Sequence, residues 1–235
     1  MTLDRLDGAA ETLAARGNEP RASSPPDASG GAAAHATKGF TATEDQGRER
    51  SPRRPHGDPL LSTKLTVPSQ RTYLVPRPRL GEKLEAGLGC GLTLVSAPAG
   101  FGKSTLLGAW ISEHSVGRPV AWLSLDSADN DPARFWRYFI VAVDRIHPGA
   151  GDASLELLGS PQAPPIEAIL TTLLNEVGDL DADSVLVLDD YHLIESRAIH
   201  EALTFLIDHL SPRIHLVIAT RADPPLPLPR LRARG

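Results

Sequence analysis

Four short apolar runs recur between residues 92 and 219, and the stretches separating them carry apolar residues every three to four positions. Leu92-Thr93-Leu94-Val95, Val120-Ala121-Trp122-Leu123-Ser124-Leu125, Val185-Leu186-Val187-Leu188 and Ile214-His215-Leu216-Val217-Ile218-Ala219 are too short to be helices and read as buried strands. The intervening pattern predicts helices over Ser104 to His114, Pro132 to Ile146, Ile166 to Val177 and Ile199 to Leu210. The second of these presents Phe135, Phe139, Val143 and Ile146 on one side; the third presents Ile169, Leu170, Leu173, Leu174 and Val177. Strands alternating with helices, and apolar on both faces, predict a mostly parallel sheet covered on both sides, a three-layer α/β/α domain over residues 59–235. The end, Pro224 to Arg232, shows no periodic element.

Residues 1–58 break this pattern. They contain no Val or Ile, Phe40 is their only aromatic residue, and Ala, Gly, Pro, Ser and Arg dominate. Such a segment has too little apolar surface to offset its ordering entropy, so it is expected to be a disordered tail. Its 8 basic and 9 acidic residues nearly cancel, and the cluster Arg48, Arg50, Arg53, Arg54 reads as solvated linker. The whole chain of 235 residues has a net charge of −5, which argues against binding nucleic acid by broad electrostatics. Cys90 is the single cysteine, so no intrachain disulfide can form, and it reads as a structural thiol in a reducing compartment. Met1 to Gly17 has no apolar core of a secretory signal, and no apolar run approaches bilayer length. A cytoplasmic location without membrane contact is the expectation.

The candidate chemistry lies where strands end. Ala97-Pro98-Ala99-Gly100-Phe101-Gly102-Lys103-Ser104 follows a predicted strand and opens a predicted helix, the setting of a phosphate-binding loop. In that setting backbone N–H groups converge on an anion, and Gly100 and Gly102 supply the backbone freedom. Lys103 is placed to reach β- and γ-phosphates, and the Ser104 hydroxyl to complete a Mg²⁺ shell. Ala97 stands where the first residue is usually glycine. The alternative is a glycine-rich turn, but a lysine at a helix N-terminus opposes the dipole unless an anion is present. The run Val185 to Leu188 ends in Asp189-Asp190, at the carboxyl end of a parallel strand where ligands bind in open α/β sheets. Asp189 is expected to hold Mg²⁺ and Asp190 to polarise the attacking water. Arg221, at the end of the fourth strand, is placed to report a γ-phosphate or else to begin a solvated loop. Asp126 and Asp129 either assist the metal or cap the next helix, and capping is favoured.

No Asn-Lys-x-Asp guanine-reading motif and no Leu-Ser-Gly-Gly-Gln stretch is present, which sets aside GTPases and transporter ATPases. Several unrelated segments together resemble the ATP-dependent transcriptional regulators of the MalT type, which carry a LuxR-type DNA-binding end. These are Lys64-Leu65-Thr66-Val67-Pro68, Val75-Pro76-Arg77-Pro78-Arg79-Leu80, the loop Ala97 to Thr105, Trp122 to Asp126, Asp131-Pro132-Ala133-Arg134-Phe135, Leu188-Asp189-Asp190-Tyr191-His192 and Ala219-Thr220-Arg221. The family belongs to the signal-transduction ATPases with numerous domains (STAND), which resemble the AAA+ class. The resemblance implies a switch set by ATP or ADP with Mg²⁺ and reset by slow hydrolysis, with self-association in a full-length form. It places Val75 and Arg77 along the adenine, Thr105 in the loop's contact set and Arg221 at the γ-phosphate. Tyr191 and His192 are expected to pack. DNA binding is implied only through domains that this chain does not contain. A stand-alone small-molecule kinase is the other reading; it would use Pro148 to Pro165 as lid and acceptor region, though no arginine cluster lies there. An interaction module that has lost ATP binding is a third reading, which intact Lys103, Ser104 and Asp189 oppose.

The strand order expected of such an ATPase is second, third, fourth, first. Nothing between Arg221 and Gly235 reads as a further strand, and Pro224, Pro225, Pro227 and Pro229 cannot donate ladder hydrogen bonds. The strand at Leu92 is therefore expected to be an open, apolar edge lacking its fifth partner, and the domain to be C-terminally truncated, with the missing strand just past Gly235.

Overall fold

Apolar residues at every position of a strand are stable only when both faces are covered. The computed structural model, which describes residues 2–5, 59–69, 75–114, 117–178 and 182–234, has that arrangement. Five strands, β1 (Thr2–Arg5), β2 (Leu92–Ser96), β3 (Val120–Ser124), β4 (Ser184–Asp189) and β5 (Ile214–Thr220), form one sheet in the order β1-β2-β5-β4-β3. β2, β5, β4 and β3 run parallel, in the order expected from the sequence.

Alternate residues along the strands enter two separate cores. Leu94, Leu123, Leu186, Leu188, Leu216 and Ile218 face one side, where α3 (Pro132–Ile146), α4 (Asp152–Leu158), α5 (Ile166–Gly178), α6 (Arg197–His209) and α7 (Leu228–Arg234) contribute the rest. Val95, Trp122, Val185, Val187, Val217 and Ala219 face the other, against α1 (Pro78–Gly87) and α2 (Lys103–His114). The domain is thus a three-layer α/β/α structure. Aromatic residues of α3 fill much of the larger core: Phe135, Trp136, Tyr138 and Phe139 are all essentially inaccessible, with the Phe135 and Trp136 rings edge to face at 5.0 Å.

Three helices were not visible as periodic patterns. α1 begins with Pro78 and α7 carries Pro229 in its first turn, positions where a missing N–H breaks no helical bond. α7 corrects the expectation of an irregular end, because Leu226, Leu228 and Leu231 are buried in the larger core. α4 packs beside α5, so it is a helix of the scaffold, where the kinase reading needed a lid.

The open edge is also corrected. β2 has a strand of this chain on each side, β5 in parallel and β1 antiparallel, with Thr2 opposite Ser96 and Arg5 opposite Thr93. An edge with free N–H and C=O groups is a template for any extended segment, and four residues are too few to reveal period-two patterning. The expectation of disorder over residues 1–58 is corrected at Thr2–Arg5 by the same observation; residues 6–58 lie outside the described residues. Among the described residues no helix is long and apolar enough to cross a membrane.

The register brings Ser96, Thr220, Asp189 and Ser124 to one edge of the sheet. The loops that leave this edge carry the candidate chemistry.

Candidate functional site

The segment from Ala97 to Gly102 links β2 to α2 and turns sharply. Gly100 has φ +80° and Gly102 φ +75°, backbone conformations that side-chain-bearing residues rarely adopt. Space is not the constraint, since a Cβ at Gly100 would meet nothing within 4 Å. Ala97 is buried, and its N–H donates to Thr220 O at 3.2 Å, so the position usually held by glycine serves as the tie between the loop and β5. Helix α2 opens at Lys103, and the Leu106 N–H already donates to Gly102 O, which leaves the N–H groups of Lys103, Ser104 and Thr105 as the first-turn donors.

Lys103 is only 7 % exposed, and its Nζ donates to Ala97 O at 2.9 Å and Pro98 O at 3.5 Å. The ammonium is therefore held across the mouth of the loop by neutral carbonyls alone, a partnership that an anion would outcompete. The Ser104 hydroxyl faces the Asp189 carboxylate across the sheet edge and favours its ionised form. Asp189 is 3 % exposed, and burial pushes its carboxyl above the usual carboxylate range. Asp190 reinforces that shift, while the Ser104 hydroxyl, the Asp190 N–H and Lys103 work against it. A desolvated carboxylate beside a hydroxyl is an all-oxygen donor pair, and it fits a hard divalent ion such as Mg²⁺ that keeps several waters or phosphate oxygens.

Asp190 is the only residue other than glycine with positive φ among the described residues, at φ 58° and ψ 34°. Its N–H donates back to Asp189 Oδ1 at 3.0 Å, which holds this left-handed turn. Arg221 is exposed just past β5, where it interacts electrostatically with His192. Arg77 Nη1 donates to Phe101 O at 3.1 Å, so the segment entering α1 touches the tip of the loop. Val75 and Phe101 are both exposed, as is Thr105 in the first turn of α2. The structure thus gathers Ala97 to Thr105, Asp189, Asp190 and Arg77 around one locus, with Arg221 on its border, and gives Val75 no contact with it among the described residues.

Asp126 and Asp129 belong to a different arrangement. They form a reciprocal capping box around the turn Ser127–Asn130, and Asp131 caps α3 by accepting from the Arg134 N–H at 2.7 Å. Lys64 Nζ pairs with both Asp129 and Asp126, and Arg134 Nε reaches Asp129 Oδ1 at 3.1 Å. Lys64 and Arg134 also lie over the Tyr138 ring, at 4.7 Å and 5.4 Å. These acids cap and pair, though they cap the turn before α3 and leave the helix itself to Asp131; the ion partner Lys64, more than sixty residues upstream, left no local signal.

Asn130 bridges two loops at this edge. Its amide donates to Ser127 O and Leu193 O and accepts from the Glu195 and Ser196 N–H groups, at 2.6–3.1 Å. It ties the turn after β3 to the turn after β4. An open groove of about 390 Å³ lined by Val67, Pro68, Gly108, Ile111 and Ser112 contains none of the charged groups of the loop and lies apart from this chemistry.

No family model matches the chain. Among curated proteins it is similar to the HTH-type transcriptional regulator MalT of Yersinia enterocolitica serotype O:8, 36 % identical over 175 residues that span 74 % of this chain and 19 % of that protein. The MalT regulators of Vibrio cholerae serotype O1 and Yersinia pestis strain Pestoides F are 33 % and 37 % identical over the same shares of each chain. Among solved structures it is similar to Cdc6p from Pyrobaculum aerophilum, with a TM-score of 0.47, 20 % identity, and coverage of 72 % of this chain and 44 % of that one, a likeness too distant to carry an argument. Over those 175 residues, which span about a fifth of the length of these curated relatives, the chain is similar to the MalT regulators.

Proposed function

We propose that residues 59–235 bind ATP or ADP with Mg²⁺ and serve as the slowly hydrolysing switch of a MalT-type transcriptional regulator. The observation that carries this reading is the buried Asp189 carboxyl, beside the half-buried Ser104 hydroxyl and the buried Lys103, at the junction of a positive-φ glycine loop and a helix N-terminus. A nucleotide's phosphates would take over the Lys103 ammonium and the open N–H groups of α2. Ser104 and Asp189 would hold the Mg²⁺, which supplies charge neutralisation on the phosphate oxygens when bound. Asp190, held in a left-handed backbone beside Asp189, would accept a hydrogen bond from the attacking water. Val75 and Arg77 would border the base, and Arg221 would contact the terminal phosphate. DNA binding and self-association belong to the regulator as a whole, and DNA would be reached through domains outside this chain. The kinase reading is less well supported, since α4 is packed against the scaffold where an acceptor lid was required.

Calorimetry with ATP–Mg²⁺ on the parent chain and on Lys103→Ala tests the site. Loss of a charge-assisted phosphate contact, about 1.5–3 kcal/mol, should weaken affinity at least tenfold. Equal affinity in the two proteins would remove Lys103 from the site, and absence of binding by the parent would end the nucleotide reading.

A further inference from the structure

Tyr191 and His192 follow the acidic pair and were expected to do the same work, but they differ. Tyr191 is fully buried and its hydroxyl meets His200 Nδ1 at 2.8 Å, a satisfied core contact. The His192 side chain is only 13 % exposed, yet neither of its ring nitrogens has a hydrogen-bond partner among the described residues, and each is buried. A buried unpartnered polar group is destabilising and is normally eliminated by rotation or by substitution. Looseness of the loop does not explain it, because Asn130 clamps Leu193, Glu195 and Ser196 immediately downstream. On the upstream side, His192 Nδ1 stands 3.7 Å from Asp190 Oδ1, just beyond hydrogen-bond reach. The charged groups that act on the ring are Asp190 on its own turn, Arg221 after β5 and Lys103 of α2, all of them groups of the candidate site. Burial first, then Arg221 and Lys103, hold the ring's pKa below the ordinary histidine value against the opposing pull of Asp190, so the ring is neutral and carries one proton.

We propose that His192 is a positioning residue for Asp190: when a nucleoside triphosphate occupies the loop, the Nδ1–H closes onto Asp190 Oδ1 and fixes that carboxylate towards the attacking water. A neutral imidazole has one donor and one acceptor, so a proton on Nδ1 leaves Nε2 to accept from a water of the site. The contact requires a shortening of less than 1 Å from 3.7 Å, within the range of a side-chain rotation. This inference rests on the nucleotide reading above and goes beyond it by assigning the ring a task that packing does not supply.

The experiment compares the full chain with His192→Phe and His192→Asn, measuring ATP–Mg²⁺ affinity by calorimetry and hydrolysis by phosphate release. Phe keeps the packing and removes both nitrogens; Asn places an amide N–H near Nδ1. His192→Phe should leave affinity within about twofold and lower kcat at least tenfold, and His192→Asn should recover most of that loss. Unchanged kcat in His192→Phe, or an equal fall in both variants, overturns the proposal. Ring ¹⁵N shifts of the parent chain, with His192 assigned by its absence in the Asn variant, give an answer independent of turnover and of variant folding. ATP–Mg²⁺ should shift His192 to the Nδ1–H tautomer, and ADP–Mg²⁺ should not; an Nε2–H ring with ATP, or the same response to both nucleotides, refutes it. If the parent chain binds neither nucleotide, the nucleotide reading itself has failed and this inference falls with it, whereas normal binding with an indifferent His192 sinks the inference alone.

Discussion

Two acidic turns leave the same edge of the sheet, one after β3 and one at the end of β4, and they differ in whether the protein answers their charges. After β3, Asp129 is wholly buried but meets Lys64, Arg134 and the Asp126 N–H at 2.8 Å. Asp126 feels burial as an upward pull, yet the Lys64 hydrogen bond, the Ala128 N–H and the nearby cations hold its carboxyl below the usual range. At β4, Asp189 is buried with the Ser104 hydroxyl, the Asp190 N–H and the Lys103 charge too weak to compensate, Asp190 sits in a left-handed backbone, and neither His192 nitrogen has a hydrogen-bond partner among the described residues. The first turn is electrostatically closed; the second is left open, and its deficits converge on one locus. Carboxylates at strand ends are therefore not equivalent markers of a site. Completeness of the surrounding hydrogen bonds separates scaffold from chemistry.

The sharpest way to break this contrast is to open the closed turn. Asp129→Ala leaves the Lys64 ammonium buried with only half-exposed Asp126 beside it, and removing one partner of a buried pair costs about 3–5 kcal/mol. Urea unfolding should show that loss, while folded Asp129→Ala should keep the parent's ATP–Mg²⁺ affinity. A variant of normal stability that no longer binds nucleotide would reverse the assignment of the two turns.

The opposite result is expected at β4. Asp190→Asn should reduce ATP hydrolysis by about 10²-fold, in the range of general-base contributions, with affinity retained and stability nearly unchanged. Asp189→Asn should instead weaken the Mg²⁺-dependent part of binding. If the two variants behave alike in both assays, the division of labour between the carboxyls is wrong.

The smallest effect concerns stability and pH. Because the Asp189 carboxyl is raised in the folded state, mainly by burial, its ionised form is disfavoured there. Its contribution to stability is therefore least unfavourable below the unfolded value of about 3.9 and worsens as pH rises through the folded value. Asp189→Asn should remove that penalty and raise Tm at pH 7, with the gain fading below about pH 4. Thermal melts at several pH values decide this, and a lower Tm for Asp189→Asn at pH 7 would mean that Ser104 and Lys103 already compensate the charge. The same melts on the parent with added ATP–Mg²⁺ should show a larger stabilisation than on Asp189→Asn.

What could be read directly from the chain is what local chemistry dictates. Unbroken apolar runs such as Val185 to Leu188 require burial on two faces, so the parallel core strands and the helices between them were legible, as was a glycine loop between strand and helix. Pro78 and Pro229 obscured α1 and α7 because proline reads as a breaker until its position in the first turn is known. Tertiary structure alone decided the pairings between distant residues: β1 on the edge of β2, Lys64 on Asp129 across 65 residues, and Asn130 on Leu193 to Ser196 across 63 to 66. It also separated Tyr191 from His192, neighbours of similar polarity. Whether a polar side chain finds a partner depends on what the fold packs beside it, and no property of the residue or its immediate sequence carries that information.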